Sequence, residues 1–366
     1  MSQSQSKPNV LRPAIALAGL LVAGAVFALI MGRIEPASTP AGTTIEINGS
    51  TMGTTYTVKL VTFNEAADRE RMDKAAAEVR KVLDDIDARM STYKPDSELS
   101  RFNQHSDTTP FPVSKDMIGI FEEARRISEL SGGAFDITVG PLINAWGFGP
   151  EKRSEIPTDE QIAALMPRVG YKKVEIDAAA STIRKTQPDV YCDLSAIAQG
   201  FAGDKVAETL DALGIQHYMV DVSGEMRTRG GNATGNAWQI AIERPEPSLE
   251  RTVQLVVSLS NMALATSGDY RNYFEKDGKR FSHEIDPTTG KPITHNLASA
   301  SVITDRSMTA DALATALIVL GPEKGYELAM SQNLAAFFII HDASGGFVER
   351  STPAFDAFTK PAAPEK

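Results

Sequence analysis

One cysteine, Cys192, stands in 366 residues. This excludes an intramolecular disulfide and any zinc cluster built on cysteine thiolates. Set inside "VYCDLS", Cys192 reads as a small buried hydrophobe, and a single cysteine is compatible with any compartment. Basic charge is also short: 37 Lys and Arg against 47 Asp and Glu leave a net charge of −10. A phosphate backbone attracts basic surfaces, so this balance argues against nucleic acid as the main partner. There is no run of like charge, and no repeat period is visible. Long apolar stretches are scarce. The one present, "AIALAGLLVAGAVFALIMG" from Ala14 to Gly32, carries no charge over 19 residues, enough to cross a bilayer as a helix. Lys7 and Arg12 precede it and Arg33 follows, a modest bias that places residues 1–13 in the cytoplasm. The expectation is a single-pass signal anchor over 14–32 in the inner (cytoplasmic) membrane, with the rest of the chain extracytoplasmic, facing a periplasm. A cleaved signal peptide is the other reading. No cysteine follows the run, which excludes a lipoprotein anchor.

What is there describes a globular body. Hydrophobic residues at 42% and charged residues at 23% support a proper core. Residues 33–43 are rich in Pro, Ser and Ala and read as a linker. Residues 44–358 read as one unit, and 359–366 as a disordered Pro, Ala and Lys-rich tail. Ile45 and Ile47, then Tyr56, Val58 and Leu60, alternate as strands do. Met72, Ala76, Val79, Leu83, Ile86 and Met90 mark one face of a helix. A second helix is predicted from an N-cap at Ser114 through Met117, Phe121, Ala124 and Ile127 to Gly132–Gly133. Thr158 and Gln161 form a capping box, and a further helix is expected from near Ser195 to Gly214. "KKVEID", "STIRKT", "HYMVDV", "WQIAIERP", "VQLVVSLS", "ASASVIT" and "AAFFII" read as strands. They come in hairpin-like groups, not in strict alternation with helices. The fold class is therefore α+β, one unit of mixed or antiparallel sheets flanked by helices.

Several segments carry more polar and glycine punctuation than a core needs. In "GSTMGTTYTV", Gly53 suits either close backbone approach to a ligand or a β-bulge. In "GGAFDITVGPLINAWGFGP", glycines alternate with Phe135, Trp146 and Phe148, which suits a flat ring or a loop packed by its own aromatics. "DLSAIAQGFAGDKV" puts Asp193 and Ser195 at a helix start, to bind an anion or to cap. In "TSGDYRNYFEKDGKRFSHEIDPTTGKPI", Asp277–Gly278 marks a hairpin turn and His283 has dense polar company. Finally, "MTADALATALIVLG" reads as a buried helix with Thr309 as its cap. Asp311 and Thr315, four residues apart, share one face of it.

In this order these segments, with "MSTYKPDSELSRFN" and "VDVSGEMRTRG", resemble the FAD:protein FMN transferase family, also called ApbE or the thiamine-biosynthesis lipoprotein family. The resemblance spans about Gly49 to Gly321. It implies Mg2+-dependent cleavage of FAD and transfer of FMN to a threonine hydroxyl of an acceptor protein, with AMP released. The acceptors it suggests are extracytoplasmic flavoprotein subunits of ion-pumping redox complexes. By position, Met52, Tyr93, Ala134, Phe135, Asp136, Asp193, Gln199 and Ile285 would line the FAD site. Asp311, Thr315 and the backbone carbonyl of Ala196 would hold the metal. Some members carry a side-chain oxygen where Ala196 stands and a carboxylate where Ala314 stands. The acceptor hydroxyl needs a base: His283, held by Asp286 or a backbone group, is one choice and Asp311 through water the other. Two further readings are an FAD pyrophosphatase and a non-catalytic FAD-binding protein.

Overall fold

Eight strands lie side by side in one sheet in the order in which the chain makes them. They are β1 (Thr43–Thr51), β2 (Thr54–Thr62), β3 (Tyr218–Val222), β4 (Glu225–Arg229), β5 (Ala263–Gly268), β6 (Leu297–Thr304), β7 (Ala335–His341) and β8 (Phe347–Ser351). The computed structural model describes residues 41–150, 155–246, 252–270, 273–276 and 278–359. The span expected at 14–32, the segment before it, the linker up to residue 40 and the tail from residue 360 lie outside them. Among the described residues no helix is long and apolar enough to cross a membrane. Every strand pairing among them is antiparallel, which narrows the mixed-or-antiparallel expectation.

Two tight turns set the register at one end of the sheet. Thr51 pairs with Thr54 and Val222 with Glu225, so each turn has two residues. Met52 and Gly53 have φ of +47° and +73°, and Ser223 and Gly224 have +64° and +105°. Left-handed backbone at both central residues is what a two-residue hairpin turn needs to match strand twist. Gly53 is thus a turn residue and not a bulge. The β5–β6 connection leaves the sheet at this same end. It contains the hairpin Tyr273–Lys276 with Lys279–Ser282, where Gly278 (φ +72°) matches the predicted turn.

The longer connections carry the helices: α1 (Glu65–Met90), α2 (Lys115–Leu130), α3 (Ala198–Ala212) and α4 (Ser307–Ser331). The buried face of α1 is Met72, Ala75, Val79, Leu83, Ile86 and Met90, with Ala75 in place of the expected Ala76. Ser114 caps α2 through Met117 N. The capping box of Thr158 and Gln161 is present. Two helix starts differ from the reading. Helix α3 begins at Ala198, three residues late, because Asp193 Oδ1 accepts from both Ser195 N and Ser195 Oγ and closes a turn first. Thr309 does not cap α4; its hydroxyl donates to Glu123 Oε1 at 2.6 Å. The cap comes from Asp204 of α3, which accepts from Ser307 N and Met308 N. A break at Gly321 (φ +81°), followed by Pro322, divides α4.

The main core lies between the sheet and these helices, with Val58, Leu60, Val220, Val222, Val302 and Phe338 pointing into it. Their neighbours Val61, Met219, Ile303, Phe337 and Ile339 point to the other face. There they meet Trp238, Ile240, Ile242 and Val257 of the hairpin Trp238–Glu243 with Val253–Leu259. Strand alternation requires this division, and each fully buried aliphatic or aromatic side chain contributes about 1.5–3 kcal/mol. Cys192 is buried in the main core, as expected. Helix α4 runs back beneath the turn end of the sheet, and what it presents there forms the site.

Candidate active site

A cavity of about 770 Å³ opens at the turn end of the sheet. All twelve residues named from the sequence stand on its wall: Met52, Tyr93, Ala134, Phe135, Asp136, Asp193, Ala196, Gln199, His283, Ile285, Asp311 and Thr315. Each arrives by a different route. Met52 is held on the rim by its left-handed turn conformation, which costs a non-glycine residue roughly 1–3 kcal/mol. Ala134, Phe135 and Asp136 follow Gly132 and Gly133, whose positive φ ends α2, with Gly133 N donating to Ser128 O at 2.8 Å. Asp136 Oδ1 accepts from Thr138 N at 2.8 Å and Thr138 Oγ1 at 2.6 Å. Phe148 also reaches the wall, and Tyr93, largely exposed, lies beside its carbonyl. Trp146 does not. Its indole N–H donates to Gly290 O at 2.9 Å and its ring packs on Phe281, so that aromatic is core.

Helix α4 presents Asp311, Thr315 and Val319 to the cavity, spaced one turn apart. Asp311 is only 5% exposed. Its Oδ2 accepts from Gly200 N at 2.9 Å, so the anion expected at the start of α3 is this chain's own carboxylate. Burial pushes the Asp311 carboxyl up to about 7, with Glu284 and Asp204 adding repulsion and the Gly200 amide opposing it. Thr315 Oγ1 and Ser267 Oγ lie 3.1 Å apart in a hydrogen bond.

Of the carboxylates on this wall that were not singled out from the sequence, two are buried. Glu225 is buried, and its Oε2 has no hydrogen-bond partner among the described residues. Burial, then the charges of Asp311 and Asp221, push its pKa well above the ordinary range. Its signal was the Ser223–Gly224 turn: pairing with Val222 puts position 225 on the core face. Glu284 is buried beside His283, its Oε1 3.5 Å from Nε2. Burial raises its pKa, and the histidine opposes that. Asp286, expected to hold His283, is instead committed to Thr288 N, Thr288 Oγ1 and Thr289 Oγ1 of its own turn.

Four buried carboxyls with raised pKa around one cavity, Asp136, Glu225, Glu284 and Asp311, mark a place short of positive charge. Among the described residues no three His, Cys, Asp or Glu side chains are placed to hold a metal ion together. A donor set of one carboxylate, one hydroxyl and one backbone carbonyl is nonetheless all hard oxygen. It suits Mg2+, which keeps waters and takes phosphate oxygens as well.

The buried Asp311 carries a pH dependence. Its ordinary value is 3.8 and its native value about 7, so between these the native state binds more protons than the unfolded state. The associated stability is fully present below the lower value and is lost as pH rises through the upper one. In metal-free buffer, the melting temperature of Asp311→Asn should therefore gain on that of the unsubstituted protein as pH rises across this window. A gap independent of pH would contradict the assignment.

Known proteins resemble this chain in sequence and fold. The flavin transferase ApbE of Vibrio cholerae superposes with a TM-score of 0.79 at 41% identity, covering 87% of this chain and 99% of that one. The apo flavinyl transferase ApbE of Pseudomonas stutzeri does so with 0.78 at 39% identity, covering 88% and 98%. A curated FAD:protein FMN transferase of Haemophilus influenzae is 49% identical over 320 residues, 86% of this chain and 92% of the relative. The ApbE family model matches residues 52–338, and the chain belongs to the ApbE family.

Proposed function

We propose that this chain transfers FMN from FAD to a threonine hydroxyl of an acceptor protein, with Mg2+ bound at Asp311, Thr315 and the Ala196 carbonyl. The observation that carries the reading is the convergence of Asp311, Thr315 and His283 on one cavity with the eight residues expected to line the FAD site. The threonine oxygen forms a bond to the FMN phosphorus, the bond from that phosphorus to the bridging oxygen breaks, and AMP leaves. His283 takes the proton that the hydroxyl loses. Phe135, Met52 and Tyr93 hold and orient the dinucleotide. When bound, Mg2+ supplies charge neutralisation at the pyrophosphate oxygens. The Gly200 amide holds one oxygen of Asp311. The acceptor is a flavoprotein subunit of an ion-pumping redox complex, met outside the cytoplasm by a chain anchored through residues 14–32.

Mass spectrometry of a co-expressed acceptor tests this. The expected result is an adduct of FMN less one water on a threonine, dependent on Mg2+. An unmodified acceptor together with rapid AMP release from FAD alone would replace transferase by pyrophosphatase. Intact FAD in both cases would leave only a binding protein.

A further inference from the structure

Neither α3 nor α4 caps its own start: Ile197 and Arg306, the residues before them, make no side-chain cap. Each helix is capped by the other. Asp204 of α3 accepts from Ser307 N at 2.8 Å with Oδ1 and from Met308 N at 3.0 Å with Oδ2. Asp311 of α4 accepts from Gly200 N at 2.9 Å with Oδ2. The exchange is symmetric in sequence. Asp204 follows Gly200 by one turn, and Asp311 follows Ser307 by one turn, so each carboxylate springs from just beyond the terminus the other one caps. The approach is close enough to demand glycine. A Cβ at Gly200 would lie 2.4 Å from Ser307 O and 2.8 Å from Asp311 Cβ.

We propose that Asp204 is a positioning residue for the metal-binding Asp311, acting through this crosswise pair of caps; the inference rests on Asp311 being a ligand. Each oxygen of Asp204 accepts from one amide, with Arg227 Nε and Arg306 Nε at 3.7 and 3.8 Å, and Asp204 is not on the cavity wall. Asp311 has given one oxygen to Gly200 and keeps the other. Its aim into the cavity is then set from two sides, by the amide that holds Oδ2 and by the anchored turn of helix from which the side chain springs. Loss of the Asp204 cap frees the first turn of α4 and loosens the carboxylate one turn further on.

The test is a Mn2+ titration of the full-length chain followed by electron paramagnetic resonance, with Mn2+ as the probe for the Mg2+ site. Asp204→Asn keeps the shape but can accept only one of the two amides. We expect its Mn2+ Kd to rise about 10- to 100-fold, and the Mg2+ concentration for half-maximal transfer to rise with it. A purely structural role would lower the melting temperature and leave Mn2+ affinity where it was; that result overturns the proposal. Should Asp204→Asn fail to fold, Asp204→Glu keeps both acceptors displaced by one methylene, and the same loss of affinity is expected. Asp311→Ala is titrated alongside. If it binds Mn2+ as the unsubstituted chain does, the metal assignment has failed. If it alone loses Mn2+, only the positioning role has failed.

Discussion

Asp311→Ala should keep FAD bound and lose FMN transfer by roughly 10³-fold or more. Pyrophosphate cleavage involves little covalent work by the protein, so removing the one carboxylate in the expected metal set removes most of the charge stabilisation available. The cost to folding is small by comparison. Losing a helix cap costs about 1 kcal/mol, and the same change relieves a buried carboxyl whose pKa is already forced up by burial and by Glu284 and Asp204. The two effects oppose each other, so the variant should fold, and the loss of transfer cannot be assigned to unfolding. FAD binding, followed by quenching of flavin fluorescence, should persist because Met52, Phe135 and Gln199 are untouched and line the same cavity. Transfer is read as flavin fluorescence on the acceptor in a denaturing gel. A normal rate would remove Asp311 from the metal site and with it the central feature of the proposed mechanism.

What could be read from the sequence follows the range of the interactions involved. Helix α1 was legible because its contacts repeat every turn, and only Ala75 against Ala76, adjacent on the edge of the face, was misplaced. The hairpin at Gly278 was legible because a turn is local chemistry. The cap of α4 was not, because Asp204 lies 103 residues away from the amide it serves. A threonine in the right place was the natural local choice, but it went to Glu123 on another helix. Strands β4, β5 and β8 were missed for a related reason. "EMRTR", "ALATSG" and "FVERS" are short and partly polar, and they become strands by pairing with longer neighbours. Glu225 was hidden with β4, since only the strand pairing shows that it faces inward. That these twelve residues share one cavity was legible through the ordered motifs of the family resemblance, while their own spacing tied only Asp311 to Thr315. Trp146 shows the limit of composition: beside Phe135 and Phe148 it suited a flat ring as well as a loop packed by its own aromatics, and its N–H and ring are used within the core.

His283→Ala should lower transfer by about 10²- to 10⁴-fold, the usual contribution of a positioned general base, and should leave bound FAD quenched. The geometry supports a base that is not yet engaged. His283 Nδ1 is buried and has no hydrogen-bond partner among the described residues. Nε2 stands 3.5 Å from Glu284 Oε1, at the outer limit for a hydrogen bond. A neutral imidazole has one donor and one acceptor nitrogen; Nε2 faces Glu284, and Nδ1, without a partner, must be uncovered to meet the acceptor hydroxyl. A positive charge on the ring would stand beside the buried Glu284 carboxyl and favour its ionised form. This is consistent with the opposing influence of His283 on the raised Glu284 pKa. Phe148 lies edge-on to the ring, their centroids 6.2 Å apart. A purely steric role for His283 would be met by His283→Gln, which approximates its size and keeps a hydrogen-bonding end but cannot take the proton. Single-turnover transfer with both variants decides the matter: equal losses in Ala and Gln assign the proton to His283, and transfer at the normal rate in either would assign it elsewhere, with Asp311 through water the alternative.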